Sequence, residues 1–235
     1  DLVAHHPPAR HVLEKHGVDY CCGGNRPLGD AAREAGVDYD RLAEAIDRAL
    51  SRPAAGDDRR DWLHEPAGDL VDHIETRHHA FMRRMLPAVV ELIGKVLKAH
   101  AERHGEMLRR LQFTFHELKE EIRLHLMKEE QVLFPLIRQM EAAAEGRGDL
   151  PRSHCGSVEN PIHQMEHEHD NAGNALARMR EMTGDYTLPE DACPSMTALY
   201  EDLQAIEADL HEHIHLENNI LFPKAVELER KVCAV

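Results

Sequence analysis

His125-Leu126-Met127-Lys128-Glu129-Glu130-Gln131-Val132-Leu133-Phe134-Pro135 returns 88 positions later as His213-Ile214-His215-Leu216-Glu217-Asn218-Asn219-Ile220-Leu221-Phe222-Pro223, with five of eleven positions identical. The shared residues include a His and a Glu four apart, which an α-helix sets on one face about a turn apart. Around both copies Ala, Leu, Glu and Arg dominate, apolar residues recur at three- and four-residue spacings, and β-branched runs are short. A self-similar segment in such a setting marks two related helical hairpins, so the fold class is all-α.

Working outward, four long helices are expected at roughly 66–103, 106–140, 161–183 and 195–230, the first with a bend at Pro87. The stretch 142–161, rich in Gly, Ser, Asn and Pro, reads as the loop joining the hairpins. An up-down four-helix bundle over residues 62–231 follows. Residues 1–55 form a separate small module, with three short helices broken by Gly17, the Cys21-Cys22-Gly23-Gly24 turn, Pro27 and Gly36, and a linker at 51–58.

Composition narrows the function. A net charge of −15 with no basic block makes nucleic acid and anionic membranes poor partners. No apolar run approaches the length of a membrane helix, and no basic segment followed by an apolar core opens the sequence, so a soluble, cytoplasmic protein is expected. Five cysteines, two of them adjacent, are not a disulfide framework, and reduced thiols are the default. Nineteen histidines, spread along the chain, make metal binding the first question.

An interior His must have apolar neighbours three, four and seven positions away. His125 and Glu129 share a face with Leu118, Ile122, Val132, Leu133 and Leu136, and His213 and Glu217 with Ile206, Leu210, Ile220 and Leu221. His169 and His100 pass the same test. His104 is a weaker contender, and His211 and His215 fall on a polar face. In the first helix periodicity slightly favours His78, beside Val71, Ile74, Phe81 and Met85, over His79. Buried glutamates without compensation cost several kcal/mol each, so cations or protons must accompany them. Imidazole and carboxylate donors almost without thiolate suit iron, manganese or zinc, and seven donors exceed what one tetrahedral ion takes. Two metals bridged by the two glutamates, a di-iron site, are the expectation.

These motifs resemble the iron-sulphur cluster repair di-iron proteins, the repair-of-iron-centres family. Asp19-Tyr20-Cys21-Cys22-Gly23-Gly24 is similar to the ScdA-type N-terminal domain. Arg77-His78-His79, His125-x-x-x-Glu129-Glu130-Gln131, Glu168-His169-Asp170 and His213-x-x-x-Glu217-Asn218-Asn219 are similar to a hemerythrin-like domain. The resemblance implies two non-haem irons, oxo-bridged when oxidised, on His79, His100, His125, Glu129, His169, His213 and Glu217, and it selects His79 over His78. It also implies a cytoplasmic, sometimes dimeric protein that restores iron-sulphur clusters damaged by nitric oxide or oxidants. Damaged iron-sulphur proteins would be its partners, and nitric oxide or dioxygen its small ligands. The segment before Asp19 departs from the family pattern with His5-His6-Pro7-Pro8. Weaker ligation after reduction would make iron release a repair step.

Other readings remain beside this one. Cys21 and Cys22 are either a plain turn or a redox and metal-handling pair that receives iron or reacts with a client. Cys155, Cys193 and Cys233 receive no assignment. His211-Glu212-His213-Ile214-His215 matches the zinc-protease pattern formally. Glu166 with His169, and Glu75 with His78, match half of a ferritin-like arrangement. A nitric oxide reductase and an oxygen carrier or sensor are the alternative functions.

Overall fold

The structure is a computed structural model describing residues 2–24, 26–51, 60–149 and 156–233. All regular structure among these residues is helical. In chain order the helices are α1 (Leu2–His5), α2 (Ala9–Lys15), α3 (Leu28–Glu34), α4 (Tyr39–Leu50), α5 (Ala67–His73), α6 (Ala80–Lys128), α7 (Phe134–Ala144), α8 (Glu159–Thr183), α9 (Pro194–Leu216) and α10 (Phe222–Cys233). Three π-helical turns, Ile74–His79, Glu129–Leu133 and Glu217–Leu221, join α5 to α6, α6 to α7 and α9 to α10.

The chain divides into two compact units. One gathers His73–Pro135 and Asn160–Leu210. Its long helix α6 leaves helical geometry at His100 (φ −119°, ψ 18°) and stays helical through Pro87 and Gly105. The break therefore falls a few residues before the expected one, while Pro87 is accommodated inside the helix. Pairs separated widely in sequence order the segments of this unit. Arg83 meets Glu130, His125 meets Glu168, Arg180 meets Glu207 and Arg77 meets Asp209. Each segment thus neighbours the next, and the last returns to the first, the adjacency of an up-down bundle. Met82, Ile93, Leu108, Leu111 and Leu118 fill its interior at 1% exposure or less. Beyond α8, Asp185 and Tyr186 take left-handed backbone (φ 55° and 56°). Tyr186 is held there by its hydroxyl, which donates to buried Glu207 at 3.0 Å.

The other unit gathers Asp1–Asp72, Leu136–Glu159 and His211–Val235. Its N-terminal residues hold four helices where three were expected, because Pro7 and Pro8 part α1 from α2. Val3, Leu13, Val18, Tyr20, Leu42 and Ile46 form a core cluster of their own. The expected linker lies outside the described residues apart from Ser51. Glu141 accepts from the backbone N–H groups of Ala67 (2.6 Å) and Gly68 (2.9 Å), capping α5. Glu229 does the same at the start of α8, accepting from Val158 N–H and the Ser157 hydroxyl, both at 2.7 Å. Both carboxylates satisfy donors that the first turn leaves unpaired. Glu229 stands 88 positions after Glu141, so the repeat extends to the helix caps.

Candidate metal centre

The π-turn at Ile74–His79 decides which histidine of the first segment turns inward. A π-turn places one residue more in the turn than α-geometry does and so advances the following side chains around the axis. Both His78 and His79 are consequently fully buried. His78 approaches Asp209 (3.2 Å), whereas His79 Nε2 lies 3.3 Å from Glu129 Oε2. Pure α-periodicity had favoured His78 because it contains no such step.

Glu129 opens the second π-turn, and its side chain is completely buried. Its Oε1 lies 3.2 Å from His125 Nε2, opposite the 3.3 Å contact of Oε2 with His79. Neither oxygen is hydrogen-bonded. His125 Nε2 is in turn 3.1 Å from His169 Nε2. The donor atoms of His125, Glu129 and His169 lie within 4.8 Å of one another.

The far ring nitrogens explain why these contacts matter. His79 Nδ1 faces Glu130 Oε1 at 2.7 Å, and His125 Nδ1 faces Glu168 Oε2 at 3.0 Å. A carboxylate only accepts, so each Nδ1 carries a proton, and each ring, when neutral, turns an Nε2 lone pair toward Glu129. Lone pairs of imidazole and carboxylate then confront each other on both sides of Glu129. A proton or a cation between them removes the conflict, and a buried carboxylate with two imidazoles at opposite oxygens matches the donor set of two bridged metal ions.

The carboxylates behind the rings are themselves braced. Glu130 also binds Arg83; Glu168 binds Lys128 and accepts from Gln164 Nε2 at 2.7 Å. Burial works against the Glu168 charge, but His125, Lys128 and Gln164 outweigh it and hold the carboxyl down at about 2. Sequence reasoning did not find the roles of Glu130 and Glu168. Their position beside the ligand candidates Glu129 and His169 was the available signal.

In the other unit, the third π-turn starts at Glu217. His213 Nε2 lies 3.1 Å from Glu217 Oε1, with both side chains at 1% exposure or less. The pair repeats His125 and Glu129 in contact as well as in sequence.

His100 parts company with this set. It lies at the break in α6, grouped with His104 and Asp191. Glu75 and Glu166 belong to no such group, which leaves the ferritin-like pattern without its carboxylates among the described residues. The zinc-protease pattern is dispersed too. His211 Nδ1 pairs with Glu14 (2.9 Å), Glu212 binds Arg10, and His215 pairs with Asn219 (3.0 Å) and packs on the Tyr20 ring. Expected on a solvated face, His215 is 3% exposed because N-terminal residues cover it, and burial lowers its pKa to about 4.

Cys21 and Cys22 sit in the turn after Tyr20, Sγ to Sγ 3.9 Å. Asp19 accepts from the N–H groups of Cys21, Cys22 and Gly23 at 2.8–3.1 Å, shaping that turn. Hydrogen bonding to Cys22, burial, and the nearby Asp19 carboxylate push the Cys21 thiol up, so it is protonated at neutral pH. Cys22 is the more exposed of the two. Asn219 donates to the carbonyls of Tyr20 (3.2 Å) and Cys21 (3.3 Å), seating the turn two residues from Glu217 in sequence. Cys155 lies outside the described residues.

Residues 70–225 match the family described as the hemerythrin HHE cation binding domain, and residues 1–50 match ScdA_N, a domain of unknown function. The iron-sulfur cluster repair protein YtfE of Enterobacter sp. (strain 638) is 37% identical over 96% of this chain and 94% of its own length. Its counterpart of the same name in Pectobacterium atrosepticum is 35% identical over 95% and 93%. The chain belongs to the hemerythrin HHE family of iron-sulfur cluster repair proteins. A third member, from Escherichia coli O81 (strain ED1a), is 36% identical over 96% of this chain and 94% of its own. Within this family the fold is a hemerythrin-like all-α bundle behind a small helical N-terminal domain. No helix among the described residues is long and apolar enough to cross a membrane.

Proposed function

We propose that this protein repairs iron-sulphur clusters damaged by nitric oxide or oxidants, and that Glu129 and Glu217 would hold a resident di-iron centre. His79, His125, His169 and His213 would complete the ligand set. The observation that carries this reading is Glu129, buried, without hydrogen bonds, and flanked by two imidazoles whose outer nitrogens are fixed by carboxylates. The duplicated His213 and Glu217 pair and the names of the relatives support it. His100, implied as a seventh ligand by family resemblance, is left out because it groups with His104 and Asp191.

Held by these residues, a di-iron group would supply electrons and a position for nitric oxide. Glu130 and Glu168 orient the imidazoles and keep them unprotonated toward the centre. The bundle interior excludes water around them. Cys22, with Cys21 beneath it, is the thiol that receives iron or engages the client. Residues 1–55 and 62–231 act as two domains in the cytoplasm, with damaged iron-sulphur proteins as partners and a homodimer as the expected assembly.

The test is anaerobic loading with ferrous iron, elemental analysis and Mössbauer spectroscopy, followed by incubation with a hydratase whose four-iron cluster has been degraded by nitric oxide. Two coupled irons per chain and restored hydratase activity, both lost in Glu129→Gln, are expected. Equal restoration by free ferrous iron, or by Glu129→Gln, defeats the proposal. Sustained nitrous oxide production without cluster repair replaces it with a reductase, and reversible dioxygen uptake without repair replaces it with a carrier.

A further inference from the structure

The break in α6 has chemistry of its own. His100 sits at the break and His104 four residues after it, and Asp191 and Cys193 come from the residues leading into α9. Donor atoms of His100, His104 and Asp191 lie within 4.8 Å of one another, with the two rings 5.9 Å apart at 48°. The neighbouring His100 ring also holds the Cys193 thiol below its ordinary pKa. None of these residues belongs to the His79, His125 and Glu129 constellation.

An ordinary ion-pair cluster explains part of this arrangement. His104 Nε2 meets Asp191 Oδ1 at 2.9 Å, and Arg103 reaches Asp191 Oδ2 at 3.1 Å. That account leaves out His100, whose Nε2 is buried without a hydrogen-bonding partner. The Arg103 side chain is 75% exposed and free to swing away from Asp191. Two imidazoles, a carboxylate and a thiolate are a tetrahedral donor set, and their two negative charges balance a divalent ion. A cavity of about 400 Å³, lined by His104, Arg103, Arg110, Glu106 and Glu181 among others, opens beside His104.

We propose that His100, His104 and Asp191, with Cys193 as fourth donor, form a mononuclear site for a divalent ion of the zinc class, separate from the di-iron centre. Binding would release the Cys193 proton. The ion would tie the break in α6 to the start of α9, so the site pins the point where the helix reverses. This inference does not rest on the repair function, because iron content is read separately.

Protein with its iron centre loaded is equilibrated with zinc, passed through a desalting column and analysed for both metals. The wild type should retain one zinc beyond its iron. His104→Ala and Asp191→Asn should each lose that zinc while keeping iron and helical circular dichroism. With cobalt in place of zinc, a thiolate-to-cobalt absorption band should appear and vanish in Cys193→Ser. The exposed-histidine control His116→Ala should behave as wild type. No retained zinc in the wild type, equal retention in His104→Ala and Asp191→Asn, or equal loss in His116→Ala overturns the proposal. A cobalt band that survives Cys193→Ser removes Cys193 from the site.

Discussion

Glu129 presents Oε1 to His125 Nε2 at 3.2 Å and Oε2 to His79 Nε2 at 3.3 Å, one oxygen to each ring. Without metal this carboxylate is a liability, and in the proposed centre it is a ligand. Replacing it should therefore have opposite signs in the two states. In chelator-treated protein, Glu129→Leu should raise stability by about 1–4 kcal/mol, because a buried, uncompensated charge is removed. In iron-loaded samples the same variant should melt below the wild type, since the stabilisation from bound metal is gone. Paired thermal melts with and without chelator read both signs, and a fall in both states contradicts this account of Glu129.

The carboxylates behind the rings should tune affinity without being ligands. Glu168→Ala removes the partner of His125 Nδ1, and Glu130→Ala that of His79 Nδ1. Each should weaken iron binding by about 10–100-fold, with iron still bound at saturating concentration. Competition against a chelator of graded strength measures it.

Glu207 anchors the far part of the same unit. It is 3% exposed and holds both Arg180 Nε (2.5 Å) and the Tyr186 hydroxyl (3.0 Å). Glu207→Ala should cost about 3–5 kcal/mol, the usual consequence of stripping one partner from a buried charged network. Urea denaturation of iron-free protein reports this directly, and iron stoichiometry should remain that of the wild type.

The seat of the cysteine turn should be separable from the metal. Asn219→Ala removes a donor to the Tyr20 and Cys21 carbonyls and leaves Cys21 only the longer bond from Asn218 Nδ2 (3.4 Å). A Cβ on Gly24 would stand 2.7 Å from Tyr20 O and 2.8 Å from Asn219 Oδ1, so Gly24→Ala disturbs the same contact. Both variants should react faster than wild type with a thiol reagent at Cys21 and keep full iron. Unchanged labelling rates in both would show that Asn219 does not hold the turn.

Much of this architecture was legible in the duplicated His-x-x-x-Glu segment, which marked the helices and two buried His and Glu pairs in contact. What escaped reading has identifiable physical causes. The choice between His78 and His79 turned on a π-turn, and a fixed α-period has no means of representing an inserted residue. His215 was assigned to solvent from its helical neighbours, but Tyr20, nearly two hundred positions away, covers it. His100 has the apolar neighbours of an interior ligand, yet the backbone breaks at that residue and takes its ring elsewhere. The caps Glu141 and Glu229 were unreadable because the helix starts they serve lie about seventy residues from them in the chain.

Each of the three π-turns carries or begins with one proposed ligand: His79, Glu129 or Glu217. Relaxation of any one to regular α-geometry needs the deletion of just one amino acid, and that deletion swings the adjoining side chains by roughly 100°. A homologue one residue shorter within 74–79, 129–133 or 217–221 should thus keep its helices and its solubility while losing the centre. A gap of that size is a mark by which genomes can be sorted into competent and vestigial copies before any protein is made.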